Sequence, residues 1–329
     1  MQTMGHFEEG SPRSIRDLLQ DAPCNWGRWG SEDEVGAVNL LDQTEVLRAV
    51  GSVRRGDVFT LGLPIGTEKG DLVWPGRIPT QHYMVRDHSH YANGKVAVDP
   101  QYGGSQFADD VVHMYVQGTT QIDALGHVWY DDTLYNGYDA ATTVGGLSKD
   151  SVVPVAEHGI VGSAVLLDVP RALHREQLMA GEEITLAQLD QVLAVQREAI
   201  QPHDIVIVRT GFYRDVWEKG TQGLPVQEVD EPGITYSKEI ADWFTQHDIP
   251  VFGTDTMDNE QTFSRRLGLC QPMHPFLINR LGVSMLEMLW LEELARACAQ
   301  DGSYRFCLVV APLKFVQATG SPINPIAIR

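Results

Sequence analysis

The sequence predicts an α/β protein with a mixed sheet and flanking helices, on two observations. Short apolar runs bounded by Gly and Pro alternate along the chain with amphipathic stretches of helical period. Several of the runs are apolar throughout, as strands buried on both faces require. Val58-Phe-Thr-Leu-Gly-Leu63 reads as the first strand. Ser163 to Val169, Ile205 to Val208, Val251 to Gly253 and Cys307 to Ala311 follow, and the wholly apolar ones are expected at the centre of a sheet.

The helices follow from caps and stripes. Thr185-Leu-Ala-Gln188 is a capping box, in which a hydroxyl and a carboxamide satisfy N–H groups that the first turn leaves free, and Leu186, Leu189, Val192 and Leu193 then form one apolar face. Ser237 caps a second helix carrying Ile240, Trp243 and Phe244, and Pro250 precedes the next strand. Met285 to Ala299, with Leu286, Leu289, Trp290, Leu294 and Cys298, predicts a third helix, which places Glu287 on it. No repeat or low-complexity tract interrupts the pattern. With 329 residues and 43% hydrophobic content, the chain can bury a large core, and one domain spanning residues 1–329 is expected.

Charge and cysteine usage narrow the function classes. Lys plus Arg number 25 against 44 Asp plus Glu, a formal charge of −19 that disfavours nucleic acid and anionic membranes as partners and otherwise reads as solubility. Cys24, Cys270, Cys298 and Cys307 show no CxxC spacing, and Met1-Gln-Thr-Met-Gly-His-Phe-Glu8 is polar and acidic where a secretory segment is basic and then apolar, so a reducing cytoplasm is expected. No apolar run approaches the ~20 residues of a membrane span.

The chemistry concentrates in Gln117-Gly-Thr-Thr-Gln-Ile-Asp-Ala-Leu-Gly-His127. Asp123 and His127 are a carboxylate and an imidazole four residues apart, able to share a metal ion, a proton or a substrate, whereas Gln117 and Gln121 can only orient or ligate weakly. Upstream, the irregular stretch Pro64 to Asp109 carries Trp74, His82, His88, His90 and Tyr91 among many Gly and Pro, and is expected to cover a pocket. His88-Ser-His90 has a metal-compatible spacing, but histidines in a polar loop are more often solvated. Arg209, at the end of a strand, is open to two readings: a ligand group, or a partner for one of the many acids. Asp255-Thr-Met-Asp-Asn-Glu260 offers three carboxylates for calcium or magnesium, although capping of a strand-end turn explains them better. A serine nucleophile finds no support, since Gly-x-Ser-x-Gly is missing and Gly162-Ser163 sits at a strand start.

Gln117, Gly118, Thr119, Thr120, Gln121, Asp123 and His127 resemble the signature His-x-Gly-Thr-His-x-Asp-x-x-x-His of the cyclase family that includes bacterial kynurenine formamidase and isatin hydrolase. Further blocks resemble its longer branch: Asn25-Trp26-Gly27-Arg28-Trp29-Gly30, Glu34 to Leu40, Ala124-Leu125-Gly126-His127 with Tyr130-Asp131 and Leu134 to Gly137, and Thr319 to Pro325. The resemblance implies the swivelling β/β/α fold of that family, a homodimer or higher homo-oligomer, and an active site completed by a distal His and Glu, here His274 and Glu287. In the two-metal formamidases the signature Asp bridges two ions; transferred by position, the first site is Gln117, Gln121 and Asp123, and the second is Asp123, His274 and Glu287.

Two carboxamides in place of two imidazoles make the first site a poor one for zinc, so the expectation is an empty first site and at most one divalent ion, zinc or manganese, in the second, with a metal-free site as the alternative. In either case His127 transfers protons, Asp123 orients it or holds its charge, and Glu287 serves as an acid or a ligand. Gln117 and Gln121 donate hydrogen bonds to a carbonyl or enolate oxygen. The expected activity is that of a hydrolase or cyclase that opens or closes a small cyclic amide, imide or lactone, in the manner of arylformamidases and isatin hydrolases, with Trp74, Trp129 and Tyr130 lining the pocket and Arg209 binding substrate. The competing readings are a metal-independent dehydratase or isomerase on a carbonyl compound, and a family member that only binds a small molecule.

Overall fold

Nine strands build the main sheet, in the order Val58–Thr60, Ile326–Ile328, Arg305–Val310, Ile160–Asp168, Ile205–Arg209, Val251–Thr254, Ser284–Glu287, Gln121–Asp123 and Gly320–Pro322, in a computed structural model that describes residues 14–68, 71–219 and 229–329. The four strands from Ile160–Asp168 to Ser284–Glu287 run parallel, and the outer ones pair antiparallel. Mixed α/β architecture is thus as the sequence predicts. The segment Met1–Glu8, expected not to be a secretory leader, lies outside the described residues. Among the described residues no helix is long and apolar enough to cross a membrane.

The apolar strands are central because both of their faces are covered. Val165, Leu167, Val206, Val208 and Phe252 pack on one side with Leu189, Val192, Ile240 and Phe244, whereas Ala164, Leu166, Ile205 and Ile207 pack on the other with Leu294, Ala295 and Cys298. Successive residues of a strand face opposite ways, so only an unbroken apolar run satisfies both layers. Each Leu, Ile or Val buried in this way contributes roughly 1.5–3 kcal/mol relative to an exposed one.

Both predicted capped helices form. Thr185 Oγ1 accepts from Gln188 N at 3.3 Å and Gln188 Oε1 accepts from Thr185 N at 2.9 Å, opening the helix Leu186–Gln196. Ser237 Oγ accepts from Ile240 N at 3.2 Å ahead of Lys238–His247. The third expectation needs correction: Met285 to Ala299 is not one helix. Ser284–Glu287 is a strand between Val251–Thr254 and Gln121–Asp123, Met288 takes a left-handed conformation (φ 56°), and the helix begins only at Glu292. Its apolar residues fit a helical stripe, but burial on both faces of the sheet satisfies the same residues in extended form, and tertiary pairing decides. Glu287 therefore stands at a strand end.

One close approach ties the amino-terminal block to this region. Gly36 has φ 69°, and a Cβ on it would lie 2.3 Å from the carbonyl oxygen of Gly282, to which Ala37 N donates at 2.8 Å. Only glycine permits this contact. Gly282 in turn ends Pro275–Leu281, a buried π-helical turn that starts immediately after His274.

Candidate active site

Gln121 and Asp123 lie two apart on a short strand and therefore project from the same face, while Ile122 between them enters the core. Antiparallel pairing sets Glu287 opposite Gln121, and the Gln121 amide Nε2 donates to Glu287 Oε2. His274 arrives from the next connection, with Nε2 3.2 Å from Glu287 Oε1. One ligand atom from each of Asp123, His274 and Glu287 falls within 4.8 Å of the others, and all three residues are buried. His127 closes the group from the turn after the strand, its Nε2 3.9 Å from Asp123 Oδ2.

Glu260 holds this arrangement from behind. Its carboxylate accepts from Met273 N at 2.7 Å and His274 N at 2.9 Å, and lies 2.6 Å from His274 Nδ1, leaving Nε2 for the site. Burial by itself would lower the His274 pKa, but the hydrogen bonds to Glu260 and Glu287 outweigh it and hold the imidazole well above its ordinary value. Burial, and then the neighbouring Asp123 charge, push Glu287 up to about 8. Burial pulls His127 down, against the attraction of Asp123. Two acceptors, Asp123 Oδ1 and Gln121 Oε1, are buried without a hydrogen-bond partner.

The cleft over these groups is lined also by Trp74, Arg77, Gln117, Asp258 and Gln271. Gln117 Nε2 is committed to Thr319, donating to its carbonyl at 3.1 Å and its hydroxyl at 3.0 Å. The expected donors of the signature are thus partly spent within the protein.

Several expected ligands lie elsewhere. The Arg209 guanidinium is buried in ion pairs with Asp168 (2.8 Å) and Glu292 (2.8 Å), which answers the strand-end cation with acids distant in the chain and takes it out of the cleft. Trp129 is 42% exposed and Tyr130 packs on the core, so neither lines the cleft. His90 completes a capping box with Asp87 and His88 begins that short helix, so this pair serves local structure. Asp255 caps a turn through Thr210 N and Gly211 N, at 2.8 and 2.7 Å. Asp258 and Glu260 of the same segment do reach the site, Asp258 lining the cleft and Glu260 holding His274, which the reading of a capped turn did not foresee. Nothing local in the sequence marked Arg77 or Gln271.

Comparisons with known proteins show the family and the fold. The family model described as "Putative cyclase" matches residues 59–261. A solved structure described as a novel cyclase is 34% identical, with a TM-score of 0.81 over 93% of this chain and 100% of that one. Isatin hydrolase A from Labrenzia aggregata, bound to benzyl benzoate, is 20% identical with a TM-score of 0.57 over 88% of this chain and 98% of that one. Isatin hydrolase A from Ralstonia solanacearum is 18% identical with a TM-score of 0.59 over 85% and 94%. The last two likenesses are of fold. A search of curated proteins returned no match. The family match over most of the chain, with the identity to the solved cyclase, shows that this chain belongs to the cyclase family.

Proposed function

We propose that the chain is a hydrolase or cyclase that opens or closes a small cyclic amide, imide or lactone, with an aromatic ring as the fitting substrate. The observation that carries the reading is the convergence of Asp123, His274 and Glu287 beneath a cleft that Trp74 and His127 line. The isatin hydrolases among the structural neighbours, similar in fold, support a cyclic substrate.

The residues present fit one divalent ion. One imidazole and two carboxylates suit zinc or manganese, and the unpartnered Asp123 Oδ1 and Gln121 Oε1 are acceptors that a cation would satisfy. Asp123, His274 and Glu287 would hold it, and when bound it supplies Lewis-acid polarisation of a carbonyl and activation of water. The chain's own groups do the rest. His127 Nε2, drawn toward the neutral form, takes and returns a proton at the cleft. Gln121 fixes the Glu287 carboxyl, Glu260 fixes the His274 ring, and Trp74 offers a face to a planar substrate.

A second reading has its own support. Glu287, held at about 8, keeps a proton near neutrality and can act as a metal-free acid, as a dehydratase or isomerase requires. The test is metal analysis of the purified protein combined with turnover of cyclic imides, aryl lactones and N-formyl arylamines, before and after chelation. One ion per chain and chelator-sensitive ring opening is the expected result. Chelator-insensitive turnover shows that Glu287 and His127 act without a metal, and no turnover of any of them with the ion bound rejects the first reading and leaves the dehydratase or isomerase. The exposed apolar ribbon of Gln81–Arg86 and Asp109–His113, with Tyr83, Met84, Val111 and Val112 on its surface, supports the homodimer that the family resemblance implies, and light scattering measures it.

A further inference from the structure

Trp74, Pro75, Gly76 and Arg77 form a tight turn in which Arg77 N donates to Trp74 O at 3.0 Å. Pro supplies the second position and Gly76, at φ 93°, the third, which is the composition of a type II turn. Both Trp74 and Arg77 line the cleft from this turn. Its segment is anchored by buried Asp71, whose carboxylate accepts from Gly66 N at 2.8 Å and Thr80 N at 2.9 Å. Arg77 Nη1 donates to the Gln117 carbonyl at 2.7 Å, which aims the remaining N–H groups.

Charge sets this arginine apart within the cleft. Arg209, Arg305 and Arg329 are each answered by carboxylates, at 2.8, 2.7 and 2.5 Å, but among the described residues Arg77 has no ion-pair partner, and it is the only Lys or Arg lining the cleft. The same cleft holds the carboxylates of Asp123, Asp258 and Glu287, and Asp258 feels the Arg77 charge, so among the described lining residues Arg77 is the one fixed cation an anionic ligand could meet. The planar fork of guanidinium matches the two oxygens of a carboxylate.

We propose that Arg77 forms an anion subsite that binds the carboxylate of an aryl acid whose ring lies against Trp74. The substrate class is thereby narrowed to ring systems whose open form is an aromatic carboxylic acid, and Arg77 favours the open acid over the closed ring. The identity of the reaction rests on the proposed function, but the subsite is tested by binding alone. Calorimetric titration compares 2-aminobenzoate with its neutral isostere 2-aminobenzamide, in the parent, Arg77→Gln and Arg77→Lys, each with zinc added and with chelator.

The acid should bind the parent about tenfold or more tightly than the amide. Arg77→Gln should weaken the acid by about 10- to 100-fold and leave the amide unchanged, the range expected for hydrogen bonds to a charged group. Arg77→Lys should recover part of the loss. The subsite is overturned if acid and amide bind the parent alike, if neither binds, or if Arg77→Gln weakens both equally, which marks a role confined to holding the Gln117 carbonyl. It is also overturned if chelation abolishes the preference while Arg77→Gln retains it, since the acid then binds the metal. Should Arg77→Gln not fold, the salt dependence of parent binding measured in chelator decides, because with the ion removed a weakening of the acid but not of the amide as salt rises reports pairing with the protein's own cation, and its absence overturns the subsite. Arg77-dependent acid binding without turnover would reject the proposed reaction and leave the subsite standing.

Discussion

Glu260 Oε1 lies 2.6 Å from His274 Nδ1 and accepts the His274 backbone N–H at 2.9 Å, so one buried carboxylate fixes both the ring and the backbone of the imidazole that faces Glu287. A carboxylate that accepts these bonds keeps the proton on Nδ1 and leaves Nε2 toward the site. Glu260 is a positioning residue with respect to any metal at Asp123, His274 and Glu287.

Glu260→Gln should therefore lower zinc or manganese affinity by about 10- to 100-fold, the usual effect of removing such an outer partner. Stability should fall by about 1–3 kcal/mol, because an amide cannot accept from all three donors. Competition with a chromogenic chelator measures the first and urea denaturation the second. Unchanged metal affinity in a folded variant would show that the ring is held without Glu260.

His127 carries the proton chemistry of the proposed function. His127→Ala should reduce turnover by ~10²–10⁴-fold with the fold intact. Comparable loss in His127→Gln indicates proton transfer, since an amide can hydrogen-bond but cannot carry the proton. Activity retained in the Gln variant moves His127 to a substrate-positioning role, and full activity in the Ala variant removes it from the mechanism.

Gln117 and Gln121 line the same cleft as Asp123. Replacing both by His supplies two imidazoles beside that carboxylate and should raise the zinc or manganese content above that of the parent. Plasma emission analysis of the dialysed double variant gives the number of ions per chain. An unchanged ratio in a folded protein means that these side chains do not converge on a common ion.

Asp150 is buried and neither of its carboxyl oxygens has a hydrogen-bond partner. Burial, and then the charges of Glu34 and Asp33, push it up to about 8 from an ordinary 3.8. The native state keeps this proton while the unfolded chain loses it, so the stability it contributes is complete below pH 3.8 and is lost progressively as pH rises to about 8. Asp150→Asn has no proton to lose. Its denaturation midpoint should rise relative to the parent across that window, and a gap independent of pH would contradict the buried, protonated carboxyl.

Much of the fold was legible because its determinants are local. The Thr185 capping box and the Ser237 cap are short-range chemistry, and the apolar runs of Ile160–Asp168 and Ile205–Arg209 report burial on both faces whatever their neighbours are. The sequence also supplied Asp123, His127, His274 and Glu287, through residue types and spacings that resemble a family signature. Tertiary structure decided what local pattern cannot carry. An apolar stretch around Leu286 fits helix and strand alike, and only its place between Val251–Thr254 and Gln121–Asp123 makes it a strand with Glu287 opposite Gln121. Glu260 became the support of His274, Arg77 an unpaired cation in the cleft, and Arg209 a buried structural ion-pair residue, because partners distant in the chain were brought within hydrogen-bond reach. Period and spacing tell which residues share a face; which faces meet is set by long-range packing, and there the roles of these charged groups were determined.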